Sequence, residues 1–304
     1  MLWHPSKKCY ILNLLLVSFV FKSYGQYTEV INTNRPGVTI GAFGVSKSVF
    51  QIEYGFQGTS SKHSVKNYTA NSNQYELDIR KGVLKDNLEL FVNVRFTQSD
   101  STINKFSKSY NRQVSDLSEL RIGLKYLLWD PYKKTNLGER NIYSWRANKV
   151  IRLQNFIPSI ALWASTSFNL EDNSFMNNPM VSKFSPAAGI ITQSQLNDYW
   201  TLTNNVFVFN LLDKPAFYYD FRSSIIKGFK NSRWSIFIEQ NTIYGDQYAD
   251  LIIRSGIAYL SYENLQFDLY AGYNVKSTPR LLSVGFGGSF RIDKSDQKRL
   301  KTRY

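Results

Sequence analysis

The stretch LQFDLYAGY, Leu265–Tyr273, decides the reading of the chain. Leu265, Phe267, Leu269, Ala271 and Tyr273 alternate with Gln266, Asp268, Tyr270 and Gly272. Successive side chains of a strand point to opposite faces, so the segment has one oily face and one wet one. Its length suits a tilted strand crossing a bilayer, for which roughly 9–11 residues suffice. A half-buried strand of a soluble sandwich reads the same way. Recurrence along the chain, with charge at the wet positions, separates the two.

The pattern recurs. Phe50, Ile52, Tyr54 and Phe56 alternate with Gln51, Glu53, Gly55 and Gln57, and Tyr75, Leu77 and Ile79 with Glu76, Asp78 and Arg80. Leu88, Leu90, Val92, Val94 and Phe96 alternate with Glu89, Asn93, Arg95 and Thr97. Leu120, Ile122, Leu124, Tyr126 and Leu128 alternate with Glu119, Arg121, Gly123 and Lys125. A strand follows Pro158, with Ile160 and Leu162 on one face and Trp163 on the other. Weaker strands are read at Ala187–Gln195 and Tyr199–Phe209, then around Phe217–Ile225 and Trp234–Ile238. Leu251–Leu260 and Leu265–Tyr273 form a hairpin, and Leu282–Ile292 is the last strand. The expectation is about twelve strands in an all-β, transmembrane, antiparallel up-and-down β-barrel, since single-chain outer-membrane barrels have even strand numbers.

Connections are expected to alternate. Short inner turns are placed at Gly82–Asn87, Leu196–Asp198, Phe229–Ser232 and Ser261–Asn264. Longer outer loops are placed at Gly58–Asn73, Ser99–Asp116 and Asn169–Lys183. Asp130–Phe156 is long for an inner turn and Leu211–Lys214 brief for an outer loop, so a missed strand or helix is expected in the former. Phe50, Phe56, Trp129, Trp200, Trp234 and Tyr273 fall near predicted strand ends, where interfacial aromatic girdles lie.

The N-terminus reads as a secretory signal over residues 1–25: Lys7 and Lys8, an apolar core from Tyr10 to Phe21, then Ser23-Tyr24-Gly25 before a cut near Gln26. Cys9, the only cysteine, lies within it. An exported chain without disulfides folds on other forces. Residues 26–47 form an irregular segment, periplasmic or a plug inside the barrel; residues 48–292 form the barrel; residues 293–304 are a basic polar tail. The formal net charge is +14. Export turns that basic balance away from nucleic acid and toward acidic lipid headgroups or anionic solutes.

Asn34-Arg35-Pro36-Gly37, then Phe50-Gln51-Ile52-Glu53-Tyr54-Gly55, resemble the opening of the outer-membrane transporters named for the meta-pathway of phenol degradation. That family typically carries Asp-Arg-Pro near its start and Gln-x-Glu-x-Gly in its first strand. Leu120–Tyr126, Phe237-Ile238-Glu239, Gly256–Tyr259 with Leu265–Asp268, and Val284–Gly287 resemble its later motifs, so the likeness runs from Thr33 to Phe290. Asn34 stands where Asp is usual, and the Asp130–Phe156 insert departs too. The resemblance implies an outer-membrane transporter in a Gram-negative cell envelope, assembled by the barrel-assembly machinery. The family's name implies aromatic catabolism.

Projected inward, the wet positions line a lumen with Glu53, Asp78, Glu89, Glu119, Asp220, Glu239 and Asp268. They also supply Arg80, Arg95, Arg121, Lys125, Arg222, Arg233 and Arg291. Signs balance, so a salt-bridged filling and a solute path that sets selectivity are both open readings. Glu239, Asp268 and Arg222 are the first choice for a polar cluster. No enzyme, cofactor or metal site is expected: His4 lies in the signal, His63 stands alone in a predicted loop, and no Gly-x-Ser-x-Gly occurs. Asp246 and Asp250 read as solvated. The expected function is a channel for small solutes, hydrophobic or aromatic ones among them, with a structural barrel of occluded lumen as the alternative and an outer-membrane hydrolase ranked after it.

Overall fold

A computed structural model describes residues 31–47, 49–84, 86–105, 108–133, 150–168, 181–229 and 233–293. The signal segment and the basic tail expected from the sequence lie outside the described residues. Twelve strands run in order: β1 (Val49–His63), β2 (Tyr68–Gly82), β3 (Leu88–Lys105), β4 (Lys108–Trp129), β5 (Ser159–Phe168) and β6 (Phe184–Gln195). Then come β7 (Trp200–Phe209), β8 (Tyr218–Gly228), β9 (Trp234–Gly245), β10 (Ala249–Tyr262), β11 (Leu265–Asn274) and β12 (Arg280–Asp293). Each pairs antiparallel with its sequence neighbour, and β12 returns to β1 from Val49↔Asp293 to Lys62↔Arg280. The barrel is closed, which leaves no unpaired sheet edge in the hydrocarbon.

Polarity is inverted relative to a soluble barrel. Along β11, Phe267 and Leu269 are 42% and 50% exposed, while Asp268 between them is 6% exposed. Leu269 is flanked by Ile257 on β10 and Phe286 on β12, both exposed. Leu77, Leu90, Ile122, Leu124, Ile190, Val206, Ile236 and Ile238 extend this apolar surface round the barrel. Arg80, Lys125, Glu53, Glu89 and Glu239, by contrast, are among the most deeply buried side chains. This is the arrangement a transmembrane barrel requires: oil against lipid, charge in the lumen.

The barrel has a near end, where β1 begins at Val49, and a far end, where β1 stops at His63. The near-end turns after Gly82, Gln195, Gly228 and Tyr262 are short, as expected. Two of the expected long far-end loops are absent. β1 and β2 stay paired out to His63↔Tyr68, and β3 and β4 out to Lys105↔Lys108. Gly58–Asn73 and Ser99–Asp116 are therefore strand hairpins with tight turns. Beyond the lipid both faces of a strand meet water, so alternation fades while the backbone ladder continues.

Asp130–Phe156 contains no further strand among the described residues, only short 3-10 turns at Pro131–Lys133 and Leu153–Phe156. Residues 134–149, and 169–180 of the third expected loop, lie outside the described residues. The link from β7 to β8 is brief, as read, with a 3-10 turn at Lys214–Ala216. Trp129 and Trp234 stand exposed at near-end strand termini and Tyr273 at the far end of β11. Phe56 is mid-strand instead, because β1 is longer than expected; it joins an outward stack with Tyr75 and Phe286 at 5.3 and 5.2 Å.

Candidate functional site

The lumen is occupied from the near end by residues 31–47. Ile31 N–H bonds the carbonyl of Glu263 in the β10–β11 turn. From there the backbone runs once round the inside of the barrel, held by one inward side chain after another. Asn34 N–H donates to the Glu53 carboxylate of β1, and the Thr33 hydroxyl is 2.6 Å from Ser289 of β12. Arg35 forks onto Asp268 of β11 at 2.8 and 2.9 Å. Val38 and Thr39 N–H both donate to Glu239 Oε2 of β9 at 2.8 and 2.7 Å, and Arg222 of β8 donates to the Val38 carbonyl at 2.6 Å. Asn205 of β7 brackets Ile40, accepting its N–H and donating to its carbonyl. Gln193 of β6 accepts Ala42 N–H, Lys125 of β4 donates to the Gly41 and Phe43 carbonyls, and Glu89 of β3 accepts Val45 N–H.

The local sequence explains this path. Irregular backbone inside a membrane barrel needs a partner for each peptide group, and long polar inward side chains supply them. Gly37 has φ +85°, a left-handed conformation that glycine adopts without penalty. A Cβ there would lie 2.5 Å from Glu239 Oε2. Glycine lets the segment turn against that carboxylate.

The charges pair. Arg80 bonds Glu53 at 2.6 Å and Glu89 at 2.8 Å, and Lys125 lies 3.4 Å from Glu89. Arg254 of β10 pairs with Glu239 at 3.1 Å. Nearer the far end, Arg95 bridges Glu76 and Glu119 at 2.8 and 2.7 Å, Arg121 pairs with Glu119, and Arg222 with Asp220 at 2.6 Å. Asp78 shares the Asn93 amide with Glu76. Such pairing offsets much of the desolvation cost of charges buried inside a barrel.

One inner wall is aromatic. Phe91 stacks on Trp163 at 5.6 Å, Trp163 meets Phe207 at 4.8 Å, and Phe209 stacks on Tyr218 at 5.0 Å. Ile40, Ala42 and Phe43 of the N-terminal segment pack onto this cluster. Arg121 lies 4.8 Å over the Phe209 ring and Arg222 5.0 Å over Phe207. Above the segment, toward the far end, is a cavity of about 520 Å3. A smaller one of about 110 Å3 lies between the segment and the β2–β5 wall; Arg35, Gly37, Glu76, Arg95, Arg121 and Arg222 line both. Tyr248, beside the larger cavity, donates a hydrogen bond from its hydroxyl to Asp250, and burial with that bond pushes its pKa up.

Each residue projected inward can now be placed. Glu53, Arg80, Glu89, Lys125, Arg222, Glu239 and Asp268 hold or flank the segment; Arg95, Glu119, Arg121 and Asp220 stand in the wall above it, and Asp78 lines the smaller cavity beside it. Glu239, Asp268 and Arg222, the expected polar cluster, share no ion pair: Arg254 takes Glu239, Arg35 takes Asp268 and Arg222 takes Asp220. Arg233 is not in the lumen. It precedes β9, is exposed, and donates to the Ser261 carbonyl near the end of β10. Alternation was extended one residue too far, past the end of the strand. Arg291 is inward, beside Asp293 at 3.2 Å. Asp250 is buried and accepts from Asn274, so only Asp246 of that pair is exposed. His63 ends β1 rather than lying in a loop.

Arg35, Glu76 and Arg254 were absent from the expected set. Glu76 and Arg254 have the inward parity of Asp78 and Asp250, so alternation alone finds them. Arg35 has no parity to read, because its segment is not a strand.

Residues 33–292 match the family described as "Putative MetA-pathway of phenol degradation". The chain belongs to this family. The match runs from Thr33 in the N-terminal segment to Ile292 in β12. No curated protein matches the chain. Among solved structures, an outer membrane channel from Pseudomonas putida F1 is similar at 11% identity and TM-score 0.48, covering 85% of this chain and 99% of that one. The transport unit of the autotransporter AIDA-I from Escherichia coli is similar at 11% identity and TM-score 0.47, over 95% and 99%. The KdgM porin in complex with oligogalacturonate follows at 9% and 0.44, over 78% and 98%.

Proposed function

We propose that this family member is an outer-membrane channel for small solutes, hydrophobic or aromatic ones among them, with residues 31–47 as its constriction. The observation that carries the reading is the lumen. A cavity of ligand size stands over a segment tied to the wall by hydrogen bonds, and a smaller cavity sharing its arginines leads alongside that segment. The near end is then periplasmic and the projecting hairpins of β1–β4 external. Outer-membrane lipid contacts the apolar surface, and the barrel-assembly machinery inserts it. Ion selectivity follows from charged side chains lining the route.

Planar-bilayer recording of the purified protein tests this directly. Discrete conductance steps, and uptake of small solutes into proteoliposomes, are expected. A protein that inserts, migrates differently with and without boiling, and passes neither current nor solute overturns the channel. The second reading, a structural barrel with an occluded lumen, is favoured by the density of ion pairs around the segment, and that same null result supports it. Hydrolysis is not proposed: His63 is half-buried at the tip of β1, where its Nδ1 accepts Lys66 N–H.

A further inference from the structure

We propose that the larger cavity is a binding site for a small organic anion, a carboxylate carried on a flat apolar body. The proposal rests on the channel reading for its purpose, though its test stands apart from conduction. Five guanidiniums line the cavity, from Arg35, Arg95, Arg121, Arg222 and Arg254, against three carboxylates, Glu76, Glu119 and Asp220. The imbalance is one of position. Asp268 and Glu239, the partners of Arg35 and Arg254, have fully buried side chains outside the cavity lining. A solute entering the cavity therefore meets donors first. Guanidiniums suit carboxylates because their planar fork matches the two oxygens.

Arg254 marks one place for the carboxylate. Its side chain is 8% exposed, its Nη1 bonds Glu239 at 3.1 Å, and its Nε is buried with no hydrogen-bond partner among the described residues. A buried donor left unsatisfied is costly, and among the residues lining the cavity Arg254 is one that carries such a donor. Phe209 and Tyr218, three and two strands from Arg254 round the ring, also line the cavity as a stacked pair at 5.0 Å, with Phe217 in the same lining and Arg121 over Phe209. That face packs a flat apolar body. The volume, about 520 Å3, falls in the range of ligand pockets. A cationic solute of the same shape meets five guanidiniums, and the three lining carboxylates are already paired with Arg95, Arg121 and Arg222.

Equilibrium binding to the detergent-solubilised protein tests the site, with benzoate, benzamide, benzylammonium and acetate as probes. Benzoate is expected to bind at least tenfold more tightly than benzamide and than acetate, and benzylammonium not at all. Arg254→Gln is expected to weaken benzoate tenfold or more while leaving the weak benzamide affinity unchanged. Should that variant fail to fold because Glu239 loses its partner, Arg121→Gln on the opposite wall carries the same expectation. Equal affinity for benzoate and benzamide overturns the anion site. Equal affinity for benzoate and acetate reduces it to a general anion surface and overturns the apolar half. Absence of benzoate binding overturns the site even in a protein that conducts, whereas benzoate binding in a protein that does not conduct overturns only the channel.

Discussion

Arg35 and Asp268, 233 residues apart, meet inside the barrel as a two-pronged ion pair, Nε–Oδ2 at 2.8 Å and Nη2–Oδ1 at 2.9 Å, with side chains 7% and 0% exposed. The pair ties the N-terminal segment to β11 across a closed ring of strands. Gly55 and Gly287 flank it; a side chain at either position would run into the Arg35 guanidinium. Removing one member of a buried pair strands the other, at a cost of about 3–5 kcal/mol, whereas replacing both with apolar groups of similar size is far milder. Asp268→Asn is therefore expected to loosen the segment and raise open-channel conductance. Arg35→Met with Asp268→Leu together are expected to restore much of the wild-type closure. Single-channel recording of the three proteins is the check, and a double variant more open than the single would refute the pairing.

Gly37 tests the next point of attachment. Alanine there meets both a left-handed backbone, costing about 1 kcal/mol, and the Glu239 carboxylate 2.5 Å from its Cβ. The strain falls on the segment, since the strands carry their own ladder. Gly37→Ala is expected to leave heat-modifiable migration intact while making the current noisier, with more frequent openings. Unchanged gating alongside unchanged folding would mean that the segment does not set the constriction.

How far the sequence was readable follows from where each residue sits. Alternation in Leu265–Tyr273 reports which face of a strand meets lipid, because hydrocarbon tolerates no charge. Glu239 and Asp268 were legible as inward for that reason. The same rule fails for Ser99–Asp116, where both faces are polar and only the ladder to Lys105↔Lys108 reveals a strand. Partners were not legible at all. Glu239 and Asp268 looked like one cluster by proximity of strands, yet Arg35 and Arg254 divide them. A segment without period carries no directional information, so Arg35 was visible only as part of a motif.

The projecting hairpin makes a separate prediction. In β4 the pairing with β5 starts at Leu120↔Phe168, so among the described residues the strand pairs from Lys108 to Glu119 with β3 alone. Shortening it by removing Ser101–Lys105 and Lys108–Arg112 with the turn between, and joining Asp100 to Gln113 through a two-residue Asn-Gly turn, keeps the remaining register. The shortened protein is expected to insert and to show the same heat-modifiable migration. Failure to assemble would show that the projection contributes to barrel stability.

The lipid-facing assignment is testable by a single charge. Leu269 is 50% exposed at the middle of β11, between Ile257 and Phe286. Arginine at the midplane of a barrel costs about 2–4 kcal/mol, falling toward zero at the interfaces. Leu269→Arg is expected to lose that much relative to Leu269→Ala in denaturant unfolding from phospholipid vesicles. Tyr110, 55% exposed on the projecting part of β4, stands outside the hydrocarbon, and Tyr110→Arg is expected to change stability by no more than about 0.5 kcal/mol. Equal costs at the two positions would mean that β11 does not face hydrocarbon, and the inverted barrel would have to be abandoned.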